Sequence, residues 1–468
     1  MATGIPKTQG SIGQTPYPAR EDRPEPLSAV LSYAGKRSES VILASCPAEV
    51  LQLWRNPHLS EDAPENRLYF GDNLPVLARL CQDPSVSGKV RLIYIDPPFA
   101  TKSVFQSRTQ ADAYSDLLSG AYYIEFIRER LVFLRELLAD DGSIYVHLDE
   151  NMAFHIKVMM DEVFGPENYR NWITRKKCNP KNYTRKTYGN VSDFILFYSK
   201  SPRYVWNRPF DDWTPERSQK EYQYVEEMTG RRYKKVPLHA PGIRNGETGK
   251  AWRGVNPPPG KHWQFPPQAL DEMDARGEIY WSPNDNPRRK IYLENSNGVP
   301  VQDIWLDFRD AHNQNIEITG YPTEKNPDLL KQIISASSNP DDLVLDCFAG
   351  SGTTLAAASQ LGRHWIGIDN SIPAIETMLR RFGKGLERMG DFVDRPKPEQ
   401  DDMAGETLPL FDDLGNDDSS TSPQASAKEI RQITDFALLA VQPYAGALNS
   451  TLDHWVEWTG SALLKEAR

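Results

Sequence analysis

Four apolar runs in the sequence each end on a carboxylate. "LIYID" ends on Asp96 and continues as Pro97-Pro98-Phe99. "DLVLD" ends on Asp346 and leads through Cys347 into Phe348-Ala349-Gly350-Ser351-Gly352-Thr353, while "HWIGID" ends on Asp369 and "RLYFGD" on Asp72. A carboxylate at a strand end can accept hydrogen bonds from a bound ligand, and two prolines fix the turn after it, here with an aromatic ring on its far side. Glycines let a ligand approach the backbone closely, and the helix start beyond them favours an anionic group. No Lys follows the second Gly of that loop, which argues against a nucleoside triphosphate. An acidic residue at the end of the next strand suits the two ribose hydroxyls of an adenosine cofactor. Singly, each feature has a plainer reading: a helix cap for Asp72 or Asp369, a strand-to-helix connection for the glycines, a turn for the prolines. Their shared position at strand ends gives them weight together.

The elements that would position these residues alternate. Between Asn66 and Lys200, the strands "RLYFGD", "VRLIYID", "SIYVHLD" and "SDFILFYSK" are separated by the helices "NLPVLARL", "AYYIEFIRERLVFLRELLADDG" (stopped by Gly142) and "ENMAFHIKVMMDEVFG" (stopped by Gly165). From Tyr321 the alternation resumes with "NPDLLKQIISASS", "DLVLDCF", "LAAASQLG", "HWIGID" and "IPAIETMLRRFGKGLE". This pattern predicts an α/β fold: a doubly wound, mostly parallel sheet built from two separated halves, with ligands at the carboxyl ends of its strands. The expected organisation is a disordered or extended lead-in over 1–60 and a catalytic half over 61–200. An inserted region over 201–319 and a second, cofactor-binding half over 320–390 come next. An acidic disordered linker over 391–427 and a C-terminal helical segment over 428–468 complete the chain.

At 468 residues, with 39% hydrophobic and 25% charged residues, the composition is that of a globular protein. No run reaches the ~18 apolar residues of a membrane helix, and the Pro/Gly/Gln-rich start lacks the apolar core of a secretory signal, so a cytoplasmic setting without membrane contact is expected. Cys46, Cys81, Cys178 and Cys347 are far apart, a spacing that fits neither a zinc site nor a disulfide framework. The net charge of −10 hides an asymmetry: Arg170–Lys290 holds 24 Lys and Arg against 13 Asp and Glu, a surplus of 11 that leaves −21 for the remainder.

"DPPF" after one apolar strand and "FAGSG" after another resemble the amino-group DNA methyltransferases that use S-adenosyl-L-methionine. The catalytic motif precedes the cofactor motif, with an insertion between them, and this order resembles the permuted β-class, which includes the modification (Mod) subunits of type III restriction systems. "GDNL", "YPTEKNPDLL" and "SDFILFYSK" are similar to the flanking motifs. The resemblance spans Asn66–Lys200 and Tyr321–Glu387.

That resemblance implies transfer of a methyl group to an exocyclic amine of a flipped base, N6 of adenine in duplex DNA, with an N4-cytosine enzyme or a type III Mod subunit as alternatives. Asp96 and the Pro97-Pro98 turn would accept hydrogen bonds from the amine, and Phe99 would stack on the base, with Phe197 or Tyr198 as a second wall. The cofactor would be held by Asp346, Phe348, Ala349, Gly350, Ser351, Gly352, Thr353 and Asp369. By the same resemblance Asp72 lies near its adenine and Thr323 and Lys325 near its methionine end. In the insertion, Trp206, Trp213, Trp252, Trp263 and Trp281 interleave with Arg231, Arg232, Lys234, Lys235, Arg288 and Arg289, a pattern suited to phosphate and groove contacts. Arg175, Lys176 and Lys177 are expected on the same DNA-facing surface. A homodimer and a restriction partner subunit stay open. "TLPLFDDL", with Thr407 in place of the usual Gln, resembles the motifs that dock on the DNA sliding clamp, which would place a contact at 407–411.

Overall fold

The structure is a computed structural model and describes residues 29–59, 66–98, 120–179, 186–310, 317–322, 324–388, 432–442 and 444–460. Phe99, Thr323 and the 407–411 segment lie outside the described residues. The described chain forms two compact units, one of which is Arg208–Gln302.

The larger unit is organised by one ten-stranded sheet. Its strands in chain order are β1 (Val50–Arg55), β2 (Asn66–Phe70), β3 (Val90–Ile95), β4 (Leu138–Leu148), β5 (Tyr169–Lys176), β6 (Ser192–Ser199), β7 (Ile304–Trp305), β8 (Leu343–Asp346), β9 (His364–Asp369) and β10 (Phe436–Val441). In space they run β1-β10-β2-β9-β8-β3-β4-β6-β5-β7. The strands from β10 to β4 are mutually parallel, and β6 is antiparallel to both β4 and β5. The parallel strands read as near-continuous apolar runs because helices cover both faces of the sheet. The principal helices are α1 (Glu39–Leu43), α2 (Asn73–Cys81), α3 (Ala121–Leu137), α4 (Ala153–Phe164), α5 (Pro327–Ser337), α6 (Thr353–Gln360), α7 (Ile372–Lys384) and α8 (Asn449–Thr459). Ile127, Leu131 and Leu134 of α3 pack with Val76 and Leu77 of α2 and with Ile93 and Ile144 of the sheet in one buried cluster.

From β8 the chain crosses through α6 to β9 on one side, and from β3 through α3 to β4 on the other. The carboxyl ends of β8 and β3 therefore flank the point where strand order reverses, the place where such sheets bind ligands. The doubly wound sheet expected from the sequence is the fold observed, with the chain's earlier half supplying β3 and its later half β8 and β9.

Three local expectations differ. Residues 29–59 are not a lead-in: Ser38 caps α1 by accepting from the Val41 amide, and β1 pairs antiparallel with β10. In the expected C-terminal helical segment, "FALLAV" forms β10, inserted between β1 and β2. Six consecutive apolar residues fit a doubly buried strand as well as a helix, and periodicity alone does not separate them. Finally, α3 stops at Leu137 and β4 begins at once, so Gly142 lies inside a strand. An added Cβ there would come within 2.8 Å of the Val90 carbonyl, so glycine serves close strand packing rather than a helix stop. Among the described residues no helix is long and apolar enough to cross a membrane.

The unit Arg208–Gln302 has a four-stranded antiparallel sheet, ordered Ile279–Trp281, Pro287–Tyr292, Arg232–Pro237, Tyr224–Val225. Its core gathers Leu238, Trp252, Trp263, Leu270, Met273 and Ile279. Trp281 stacks on Trp252 with ring centroids 5.0 Å apart.

Candidate active site

Asp96, Asp346, Asp369 and the Gly71-Asp72 pair stand at the carboxyl ends of β3, β8, β9 and β2, four neighbouring parallel strands. They open on a cleft of about 500 Å³, a size that suits a small organic ligand. Of the residues predicted for the site, Asp72, Asp96, Pro98, Lys325, Asp346, Phe348, Ala349, Gly350, Ser351, Thr353 and Asp369 line it. Pro97 is buried beneath the turn. Gly352 instead serves the helix start: it is left-handed (φ 71°), and an added Cβ would meet Met378 Cγ at 2.6 Å.

Asp96 is held asymmetrically. Its Oδ2 pairs with Lys325 Nζ at 2.8 Å, while Oδ1 is buried with no hydrogen-bond partner among the described residues. An acceptor left in that state costs on the order of 1–3 kcal/mol, so a donor that reaches it is stabilising. Lys325 was expected near the methionine end of a cofactor; it lines the cleft and is bound to Asp96. Behind Asp96 lies a buried chain of polar groups. His147 Nδ1 is 4.0 Å from Asp96 Oδ1 and 2.8 Å from the Tyr94 hydroxyl, and His147 Nε2 lies 3.0 Å from Asp193 Oδ2. Arg175 donates to Asp193 at 2.9 Å, to Asp310 at 2.7 Å and to the Phe308 carbonyl at 2.6 Å. Burial pushes the Asp193 carboxyl up, but His147 and Arg175 outweigh it and hold the group well below the usual carboxylate range.

Two expectations are corrected by this chain of groups. Arg175 is fully buried and bound to two carboxylates, so its guanidinium is not on a DNA-facing surface. A cation at an apolar strand end is kept there because Asp193 and Asp310 compensate its desolvation. Phe197 and Tyr198 are not a second wall for a base. Phe197 stacks on Tyr145 at 4.3 Å, and the Tyr198 hydroxyl donates to Asp161 at 2.6 Å. Because β6 runs antiparallel to β4, its first residues reach the carboxyl edge and its last ones the opposite edge. Asp193 therefore meets the site, and Phe197 and Tyr198 do not.

The other end of the cleft is acidic. Asp369 accepts from the Gly350 amide (2.8 Å) through Oδ2 and from the Ser371 amide (2.9 Å) through Oδ1; burial nevertheless raises it to about 6. Asp346 accepts from the Phe348 amide at 3.0 Å. Burial, with Asp96 and Asp369 nearby, raises it to about 7. Asp72 caps α2 by accepting from the Leu74 amide at 3.1 Å, and pairs with Arg130 at 3.1 Å. Arg130 lies 3.5 Å over the Phe126 ring and donates to Asn73 at 2.6 Å. Cys347 lines the cleft, but burial raises its thiol far out of the nucleophilic range.

Tyr94, Phe126, Arg130, Tyr321 and Tyr444 also line the cleft, and the sequence reading missed them. Phe126 and Arg130 belong to an ordinary amphipathic helix and carry no local signal. His147, inside the apolar "SIYVHLD", had one: a buried strand rarely holds an imidazole without a partner.

In the smaller unit, Trp252 and Trp263 are buried and Trp281 is half-buried, so these rings build the core rather than a nucleic-acid surface. Arg231 stacks on Tyr292 at 3.7 Å and pairs with Glu294; Lys234 pairs with Glu221 at 3.5 Å. Lys235 is clasped between Tyr224 (3.7 Å) and Tyr280 (3.4 Å). Among the described residues, Arg232, Lys235 and Arg288 have no carboxylate partner, Arg289 acts on Glu278, and Arg288 is exposed. Lys176 and Lys177 are half-buried in the larger unit.

A doubly wound sheet with a carboxylate-proline turn at its switch point and a glycine-rich turn one strand away defines a methyltransferase-type site. The N6_N4_Mtase profile, described as DNA methylase, matches residues 90–380, and the chain belongs to that family: it is a DNA methyltransferase. It is 46% identical over 379 residues to the type II methyltransferase M.EcaI of Enterobacter cloacae, covering 80% of this chain and 82% of that one. It is 48% identical over 308 residues to the DNA adenine methyltransferase YhdJ of Escherichia coli K12, covering 65% and 80%. Against the StyLTI Mod subunit of Salmonella typhimurium it is 27% identical over 366 residues and spans 54% of that protein's length.

Proposed function

We propose that this chain transfers a methyl group from S-adenosyl-L-methionine to N6 of adenine at a specific sequence in duplex DNA. The buried, unpartnered Oδ1 of Asp96 carries the reading. It belongs to a carboxylate that lines the cleft, on a turn that two prolines restrict, and an exocyclic amine is a donor of the kind it lacks. Similarity to an adenine methyltransferase at 48% identity supports adenine over cytosine. The higher identity to a type II enzyme than to a type III subunit supports a methyltransferase acting outside a type III complex.

The residues present fit the cofactor. Asp369, one strand from the glycine-rich turn, faces the cleft with a carboxylate suited to a ribose diol. Gly350, at φ 53°, leaves its backbone open, its nearest neighbour being the Tyr321 ring 3.6 Å from an added Cβ. Two carboxylates raised by burial suit a ligand that brings positive charge. When bound, the cofactor supplies an electrophilic methyl group on a sulfonium. The protein's own part is to free the amine's lone pair. In this reading Asp96 accepts one N–H and a carbonyl of the Pro97-Pro98 turn accepts the other, which draws the nitrogen out of conjugation. Lys325 pairs with the other oxygen of Asp96, at 2.8 Å, which leaves Oδ1 for the amine. The target base must leave the helix to reach this turn, at a cost of a few kcal/mol. Phe99 is the ring proposed to stack on it, an interaction worth roughly 1–3 kcal/mol.

The unit Arg208–Gln302 is proposed as the target-recognition module, with Arg232, Lys235, Arg288 and Arg289 as phosphate or base contacts and Lys176 and Lys177 beside the catalytic half. A cytoplasmic location, a homodimer, a restriction partner and clamp docking through 407–411 belong to this proposal as well. The test is methylation-aware sequencing of DNA from cells expressing the wild type or Asp96→Ala. N6-methyladenine in one sequence context, lost in the variant, is the expected result. N4-methylcytosine would correct the base, and unmarked DNA from both strains would overturn the reading.

A further inference from the structure

The parallel pairing of β10 with β2 runs in register from Asn66 opposite Phe436 to Phe70 opposite Ala440. The residues after Val441 therefore emerge at the same carboxyl edge as Gly71 and Asp72, beside the cleft and not on the far side of the sheet. The family match ends at 380, so β10 and the residues C-terminal to it lie outside the matched methylase region. Yet Tyr444, in the turn after β10, lines the cleft together with Asp72, Asn370 and Ser371. Its ring sits edge-on to Phe70 with centroids 6.1 Å apart, and the residue is 48% exposed.

We propose that the segment after β10 is part of the cofactor site, and that the Tyr444 ring stacks on the adenine of the bound cofactor. This rests on the S-adenosylmethionine reading above. The order of strand ends sets the direction of the ligand. The reacting end lies at Asp96 on β3, the close-approach glycines come after β8, and the ribose carboxylate Asp369 ends β9. Continuing the same way past the ribose leads to β2 and then β10, which places the base at Tyr444. The strand before the ring and the helix after it are held in place. Val441 packs so closely on Gly71 that an added Cβ there would come within 2.6 Å of Val441 Cγ2. Trp455 of α8 anchors the segment by packing against Trp54 (5.2 Å) and Phe436 (5.5 Å). A half-exposed ring with its edge held by Phe70 is pre-organised for a flat partner and loses little freedom on binding.

The experiment uses the full-length chain and two probes that share the nucleoside, S-adenosylhomocysteine and adenosine, with dissociation constants measured by calorimetry. Tyr444→Ala should weaken both by about tenfold, the scale of one aromatic–base stack. Tyr444→Phe should stay within about twofold of wild type. The thermal midpoint of the ligand-free protein should not move in either variant, which separates loss of a ligand contact from loss of fold. Unchanged binding in Tyr444→Ala, with wild-type binding intact, would overturn the assignment, as would an equal loss in Tyr444→Phe. Failure of the wild type to bind either probe would instead remove the cofactor reading and this assignment with it.

Discussion

Asp96 and Asp346 are both strand-end carboxylates, but their surroundings give them opposite tasks. Asp96 is paired through Oδ2 with Lys325, whereas burial raises Asp346 to about 7 and Asp369 to about 6. Because both values lie above those of an unfolded chain, the empty protein binds more protons folded than unfolded between pH ~4 and 7. Its stability from these groups is therefore greatest at the acid end of that window and declines as pH rises through 6 to 7. Cofactor binding should go the other way. A ligand carrying positive charge and hydroxyl donors favours the ionised carboxylates, so its dissociation constant should fall as pH rises from 5.5 to 8. The expected change is up to about tenfold per pH unit for each carboxylate that must ionise. Calorimetry in buffers of different ionisation enthalpy should show proton release on binding at pH 6.5; pH-independent affinity would show that neither carboxylate faces the charge. Sequence alone identified these residues by their position after apolar runs. It could not show which would be neutral, because desolvation depends on what covers them.

At the scale of elements, the sequence was most informative where side-chain period and glycine position agreed. The strands carrying Asp96, Asp346 and Asp369, and the helices between them, were legible. Direction was not. "SDFILFYSK" reads the same whichever way the strand points, and the antiparallel course of β6 decides that Asp193, not Phe197 or Tyr198, meets the site. Nor could composition separate an interior from a surface: Trp252 and Trp263 looked like a nucleic-acid platform because they sit among cations, and they are a core. Gly352 is legible for a different reason than its family role suggests. It starts α6 in a left-handed conformation against Met378, so Gly352→Ala should destabilise the protein by about 1–3 kcal/mol through strain and overlap. Denaturant titration checks this; a change below about 0.5 kcal/mol, the scale of a neutral surface substitution, would mean the turn relaxes freely.

For the whole molecule, charge is divided between regions: a surplus of 11 over Arg170–Lys290 inside a chain of net −10. Affinity for DNA should then depend steeply on salt while most of the surface repels it. Arg288→Ala should weaken binding to any sequence and reduce the slope of log affinity against log salt by about 1 if the side chain meets a phosphate. A loss confined to one sequence, at unchanged slope, would make it a base contact instead. The sheet also imposes an order on synthesis. Val50 pairs with Val441, and Asn66 with Phe436, so strands made first wait for one made nearly 400 residues later. Such distant pairing is slow to form, and until β10 arrives β2 presents an unpaired edge of the kind that other chains can capture. On the ribosome, the edge beside this methyltransferase's cleft can close only after the 436–441 segment has left the exit tunnel.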